Sequence, residues 1–283
     1  MPSQAGFLSL EQMLREATPF DLICVATTAP SHVALGRAAL QAGVKRLLLE
    51  KPIASSLAEA RQFVAECNTA NVSLAVNYSR RWLHDYRAIK RCIERNFIGE
   101  VRAINITIGK GELAMHGSHY FDLCRYLIGS EAASVIGQLE PIKETNLRGA
   151  QYQDPSGFCL FTFQNGARAY VDFSSDLKVK DPFLMIKGSV GRITVDEQRL
   201  FWTLQSRSQR TWSVLFAEQM KSSWMFARVV ADLLSGQPPS VTGADGVAAL
   251  EMVYGALLSD QRGGQPVQFP LTDAEAAMEV QIP

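Results

Sequence analysis

The sequence predicts an α/β protein in two parts. Residues 1–99 form a truncated, doubly wound parallel sheet, and residues 100–283 form an α+β domain with an open, mostly antiparallel sheet. Three observations carry this. Short runs of continuous apolar residues alternate with helical patterns as far as Gly99. Beyond Gly99 the strands lengthen and begin to alternate between two faces. Helical patterns then return at the C-terminal end. Continuous apolar strands between helices mark parallel units covered on both faces, whereas period-two strands mark a sheet with one solvated face.

Each element has its own signal. A short helical pattern runs from Leu8 to Leu14, before the first strand, Asp21 to Ala26, which stops at Thr27-Thr28-Ala29-Pro30. Ser31 is placed to cap a helix carrying Val33, Leu35, Ala38, Ala39 and Leu40, and Gly43 closes it. Arg46 to Glu50 is the second strand, halted by Lys51-Pro52. Ser56 caps the next helix, which carries Leu57, Ala60, Phe63, Val64 and Cys67 on one face. Val72 to Val76 is the third strand, and a long helix begins near Trp82.

The second part opens with strands at Val101–Ile108, Ala133–Leu139, Phe158–Phe163 and Ala167–Phe173, with a helix between them around residues 117–128. Asn165-Gly166 reads as a two-residue hairpin turn. Strands at Phe183–Lys187, Arg192–Val195 and Leu200–Leu204 follow, then helices near 222–235 and 243–259. Trp224, Met225 and Phe226 lie at helical spacing, which marks packing rather than a cofactor box.

Composition excludes several functions. Lys plus Arg equals Asp plus Glu at 28 each, so no global field recruits nucleic acid or anionic lipid. No run of about 18 apolar residues is present to span a membrane. The five cysteines are scattered, form no Cys-x-x-Cys, and predict reduced thiols in a cytoplasmic protein. No His/Cys/Asp/Glu set has zinc spacing, so no metal is expected, and there is neither a Gly-x-Ser-x-Gly elbow nor a P-loop.

The ordered motifs are more specific. Asp21 to Pro52 (DLICVATTAPSHVALGRAALQAGVKRLLLEKP) reads strand, Thr/Pro loop with His, helix ending in Ala-Gly, strand, then Glu50-Lys51-Pro52. Arg80-Arg81 followed by an aromatic, Ile98-Gly99-Glu100, Gly117-Ser118-His119-Tyr120-Phe121-Asp122, and Gly243-Ala244-Asp245-Gly246 leading to Leu250-Glu251 come next in order. Together they resemble the glucose–fructose oxidoreductase/inositol dehydrogenase (Gfo/Idh/MocA) family over nearly the whole chain. The resemblance implies a truncated Rossmann-type first domain and hydride transfer between NAD or NADP and a sugar or cyclitol hydroxyl or ketone. It also implies a homodimer or homotetramer formed through the open sheet. The competing reading is a non-catalytic binding or assembly subunit.

Family members open with a Gly-rich strand–loop–helix that cradles the pyrophosphate. None precedes Asp21, which predicts that the chain as given binds either dinucleotide weakly. It also leaves the strand at 21–26 as an apolar edge, which favours a missing front end over a natural short form.

By resemblance, Lys51 lies near both the nicotinamide and the reacting sugar carbon, where a lysine of depressed pKa can orient a hydroxyl and help accept its proton. The alternative is a solvated lysine before a turn proline. His119 matches the family's general acid/base, a role suited to imidazole, and the alternative is a hydrogen-bonded core histidine. Thr27, Pro30, His32 and Glu50 fall, with Lys51, on the cofactor side, His32 chiefly as support. Asn77 and Arg81, near the carboxyl end of the third strand, and Asp122 are substrate-contact candidates. Asp122 could equally pair with Arg125. Many members carry Asp four residues before the histidine; here that position is Met115, which can neither orient an imidazole nor accept a proton. His116, beside it, points elsewhere if the segment is helical.

Overall fold

The computed structural model describes residues 6–16, 19–142, 144–175, 182–208, 210–217 and 222–283, with the side chains of 222–225 left aside. The Trp224 and Met225 side chains of the packing expectation therefore lie outside the described residues, while Phe226 is 41% exposed.

A short helix α1 (Leu10–Glu16) leads to a three-stranded parallel sheet of β1 (Ile23–Val25), β2 (Arg46–Leu49) and β3 (Ser73–Val76), in that order. Leu47, Leu49, Ala75 and Val76 are fully buried, as continuous apolar strands require. Helices α2 (Ala29–Gln41) and α3 (Leu57–Thr69) connect the strands. Ser56 caps α3, its hydroxyl accepting from Glu59 N at 3.2 Å. The cap of α2 is Thr28 and not Ser31, which sits inside the helix. Pro30 explains the earlier start: a first-turn residue needs no intrahelical N–H, so proline is welcome there.

After β3 the chain makes a tight turn over Ser79–Trp82 before α4 (His84–Glu94). The long helix thus begins two residues beyond Trp82. Arg80, Arg81 and Trp82 are all buried in this tighter turn.

The second sheet begins with β4 (Val101–Thr107) and, beyond a wide π-type turn at Leu113–Gly117 and α5 (Ser118–Ile128), continues with β5 (Ala132–Leu139). Strands β6 (Gly157–Phe163), β7 (Arg168–Asp172), β8 (Phe183–Gly188), β9 (Arg192–Asp196) and β10 (Phe201–Gln205) follow. Two further strands escaped the sequence: β11 (Thr211–Leu215), every residue of it exposed, and β12 (Val267–Gln268), too short to show a period. The order is β11-β10-β9-β8-β4-β7-β6-β5-β12, and β4–β7 is its one parallel pair among the described residues.

The β6–β7 hairpin has a three-residue loop rather than two. Phe163 N donates to Ala167 O, Gly166 N donates to Phe163 O, and Gly166 takes φ +80°. Glycine at the left-handed position of a bulged hairpin accounts for the extra residue.

The inward face holds Phe161, Phe163, Phe173 and Leu184, all buried, while Tyr170 and Phe201 lie half-buried on the other face. Strand register aligns Ile136, Leu160, Tyr170, Asn105, Met185 and Thr194 in one row across that outer face.

Helices α6 (Ser222–Leu234), α7 (Gly243–Gln261) and α8 (Asp273–Ala276) end the chain. A capping box between Thr242 and Asp245 starts α7, which packs on both sheets. Its Tyr254 hydroxyl donates to Ser55 O at 2.7 Å, and its Ser259 hydroxyl accepts from Gly137 N at 3.0 Å. Gly246 permits this approach, since a Cβ there would stand 2.5 Å from Val76 Cγ2. One continuous apolar core results, with the carboxyl ends of β2 and β3 facing α5.

Candidate functional site

The site begins where β2 ends. Lys51 follows the buried strand directly, and its cis peptide to Pro52 turns the chain away. Its Nζ donates to Met115 O at 2.8 Å and lies 3.6 Å from Met115 Sδ. Burial lowers the Lys51 pKa to about 8, against the opposing pull of Glu50, and Arg148 lowers it further. The charged form of a lysine loses its hydration there without a carboxylate in direct contact.

Asn77, just past β3, donates from Nδ2 to Glu50 Oε1 at 2.7 Å and leaves its buried Oδ1 without a hydrogen-bond partner. Tyr78 is fully buried and its hydroxyl is also unpartnered; the nearby Ser118 hydroxyl donates instead to Ala114 O at 2.5 Å. The Tyr78 ring meets the His119 ring edge-to-face at 5.7 Å. His119, in the first turn of α5, has its Nδ1 buried and unpartnered. Burial, followed by the charges of Lys51, Arg80 and His116, holds its pKa well below the usual histidine value. The imidazole is therefore held in its neutral form, which leaves a ring nitrogen free to accept a hydrogen bond.

The other candidates divide by what their polar atoms already do. Arg81 places Nε and Nη2 on Asp122 at 2.8 and 2.6 Å, both residues are buried, and Asp245 lies 3.1 Å from Arg81 Nη2. Burial raises the Asp122 pKa to about 6 even though Arg81 pulls it down. Arg125 Nη1 stands 3.7 Å from Asp122. His32 is fully buried with its ring nitrogens 2.9 Å from Pro52 O and 3.0 Å from Thr27 O, tying the loops after β1 and β2 together. Thr27 and Pro30 are exposed at the start of α2. His116 turns aside to Glu112, 2.5 Å away.

Three contributors escaped the sequence. Tyr78 carried a usable signal, as the residue next to Asn77 at a strand's carboxyl end. Asp154 carried none, because it arrives from a loop some 40 residues along the chain: its carboxylate accepts from Ala114 N at 2.7 Å and Met115 N at 2.9 Å. Burial raises its pKa to about 6 against those two hydrogen bonds. Tyr152, in the same loop, donates to Thr28 Oγ1 at 3.2 Å, joining the second sheet to the start of α2. A cavity of about 400 Å³ borders Glu112, Tyr152 and Asp154; neither Lys51 nor His119 lines it.

The nicotinamide end of a dinucleotide fits Lys51 and Asn77, which follow the carboxyl ends of the parallel strands β2 and β3, where such sheets bind ligands, and the Asn77 Oδ1 has no protein partner.

Comparison with known proteins bears on the family and the fold. Residues 3–78 match the family model described as an oxidoreductase family with an NAD-binding Rossmann fold, and residues 86–194 match the GFO/IDH/MocA C-terminal domain. A myo-inositol 2-dehydrogenase of Thermotoga maritima is 25% identical, over 83% of this chain and 75% of its own length. A D-apiose dehydrogenase of Paraburkholderia graminis is 26% identical, over 96% and 77%. The fold is that of an oxidoreductase domain protein from Kribbella flavida, with a TM-score of 0.78 at 21% identity, covering 92% of this chain and 83% of that one.

Proposed function

We propose that this chain, which belongs to the GFO/IDH/MocA oxidoreductase family, moves a hydride between NAD or NADP and a carbon-bound hydroxyl or ketone of a sugar or cyclitol. The observation that carries this reading is the cluster of buried, unpartnered polar atoms, His119 Nδ1, Asn77 Oδ1 and the Tyr78 hydroxyl, beside a lysine whose pKa is lowered to about 8. Buried polar groups are normally paired, so a cluster without protein partners supports pairing with a ligand's polar groups.

Glu50, Lys51 and Asn77 would hold the nicotinamide end, which when bound supplies the hydride acceptor. In the oxidative direction Lys51 Nζ donates a hydrogen bond to the reacting hydroxyl oxygen and stabilises the negative charge that develops there. His119, neutral near pH 7, takes the hydroxyl proton while the carbon–oxygen double bond forms. Arg81 and Asp122 we assign as a brace behind the site. Each satisfies the other, and Asp122 lies one helical turn beyond His119, so the pair holds α5 against the turn that follows β3. The two relatives are named for a cyclitol and a pentose, which makes cyclitols and aldoses the substrates to try. Residues 1–99 serve as the dinucleotide domain and residues 100–283 as the substrate domain, whose outer sheet face forms a homodimer or tetramer.

The test is reduction of NAD⁺ or NADP⁺ by the chain carrying an added Gly-rich strand–loop–helix, with a panel of cyclitols and aldoses, followed by the absorbance of the reduced nucleotide. His119→Ala should lower turnover by about 10²–10⁴, the usual worth of a placed acid/base. A panel in which no compound reduces either nucleotide would leave the non-catalytic reading standing.

A further inference from the structure

The turn that presents His119 is held by a segment that does not belong to it. Residues 113–117 form a single wide turn in which His116 N and Gly117 N both donate to Glu112 O. The first N–H groups of such a turn have no acceptor within it. Here all three are taken up by the segment entering β6: Leu113 N donates to Pro155 O at 2.9 Å, Ala114 N to Asp154 Oδ1 at 2.7 Å, and Met115 N to Asp154 Oδ2 at 2.9 Å. A buried carboxylate spanning two consecutive N–H groups fixes both peptide planes and supplies charge-assisted bonds. The carbonyl at the far side of the same residue, Met115 O, is the acceptor that holds Lys51 Nζ. That carbonyl lies in the next peptide, which His116 N anchors to Glu112 O, so Met115 is clamped on both sides.

We propose that Asp154 is a positioning residue, which clamps Met115 so that the Met115 carbonyl holds Lys51 over the reacting carbon. Its hydrogen bonds go to Ala114 N and Met115 N and those of Lys51 Nζ to Met115, so Asp154 acts through the peptide between them. The backbone of residue 115 therefore performs a task for which the methionine side chain is unsuited. The proposal rests on Lys51 being the orienting donor, yet its test needs neither substrate nor nucleotide.

The charge of Asp154 and its position affect Lys51 in opposite directions, and this makes the test decisive. As a nearby negative charge Asp154 raises the lysine's pKa. As a clamp it keeps Lys51 where burial lowers it. Competitive labelling of the full chain with acetic anhydride across pH, read lysine by lysine by mass spectrometry, gives each titration midpoint. The wild type should give about 8 for Lys51. In Asp154→Asn, release of Lys51 to solvent should move its midpoint upward and cut its labelling at pH 8 about tenfold, since each such factor follows one pH unit. Asp154→Glu keeps the charge and misplaces the oxygens, so it should shift Lys51 the same way. Lys90, also lowered by burial but by contacts of its own, is the internal control. A Lys51 midpoint that stays near 8 or falls in Asp154→Asn overturns the proposal. So does a joint rise of Lys51 and Lys90, which would make Asp154 a support of the whole fold.

Discussion

Lys51 should cost the fold stability at neutral pH, and Lys51→Met should recover it. The ordinary lysine pKa of 10.5 is lowered to about 8 in the folded chain, chiefly by burial. That difference corresponds to ~3 kcal/mol of disfavoured charge. The unfolded chain binds more protons than the folded one between pH 8 and 10.5, so stability climbs with pH across that window. Below it the cost is fully present; above it, none remains. Methionine carries no charge and fills similar space, but leaves Met115 O without the 2.8 Å bond it now accepts, a loss of about 1 kcal/mol. The net gain at pH 7 is about 2 kcal/mol, a rise in Tm of roughly 3 °C for a chain of this size. Thermal melts of both proteins, monitored by circular dichroism from pH 7 to 10.5, should show that advantage at neutral pH and its disappearance toward the alkaline end. The variant should at the same time lose turnover. A variant that melts at or below the wild type at pH 7, or whose advantage is the same at every pH, would refute the reasoning.

Two further outcomes follow. Asp122→Ala strands Arg81 with Asp245 alone, and should cost about 2–4 kcal/mol, somewhat under the usual price of breaking a buried pair, read from the urea midpoint. Unchanged stability with lost turnover would instead place Asp122 against the substrate. Light scattering at tens of micromolar should find a dimer or tetramer, and Leu160→Lys, on the outer sheet row and 38% exposed, should split it; a monomeric wild type would sink that assignment.

The sequence alone determined the elements whose causes are local. Apolar runs placed β1, β2 and β3 within a residue or two, Ser56 announced its helix, and Glu50-Lys51-Pro52 with the run from Gly117 to Asp122 supplied the two halves of the proposed site. These signals survive because strand period, helix cap and motif are all written in neighbouring residues. Where tight local geometry competed, the reading slipped: Pro30 drew the start of α2 back to Ala29, and the tight turn over Ser79–Trp82 delayed α4 to His84.

Only the tertiary structure decided what those residues do to one another. Lys51 and Met115 are 64 positions apart, Arg80 donates from Nε at 2.9 Å to Glu197, 117 positions away, and Asp154 reaches back about 40 residues to the turn before His119. A lysine's pKa depends on how much water it loses and which charges stand near it, and a histidine's free nitrogen depends on what the fold leaves beside it. Both are properties of assembled neighbours, which no local pattern contains.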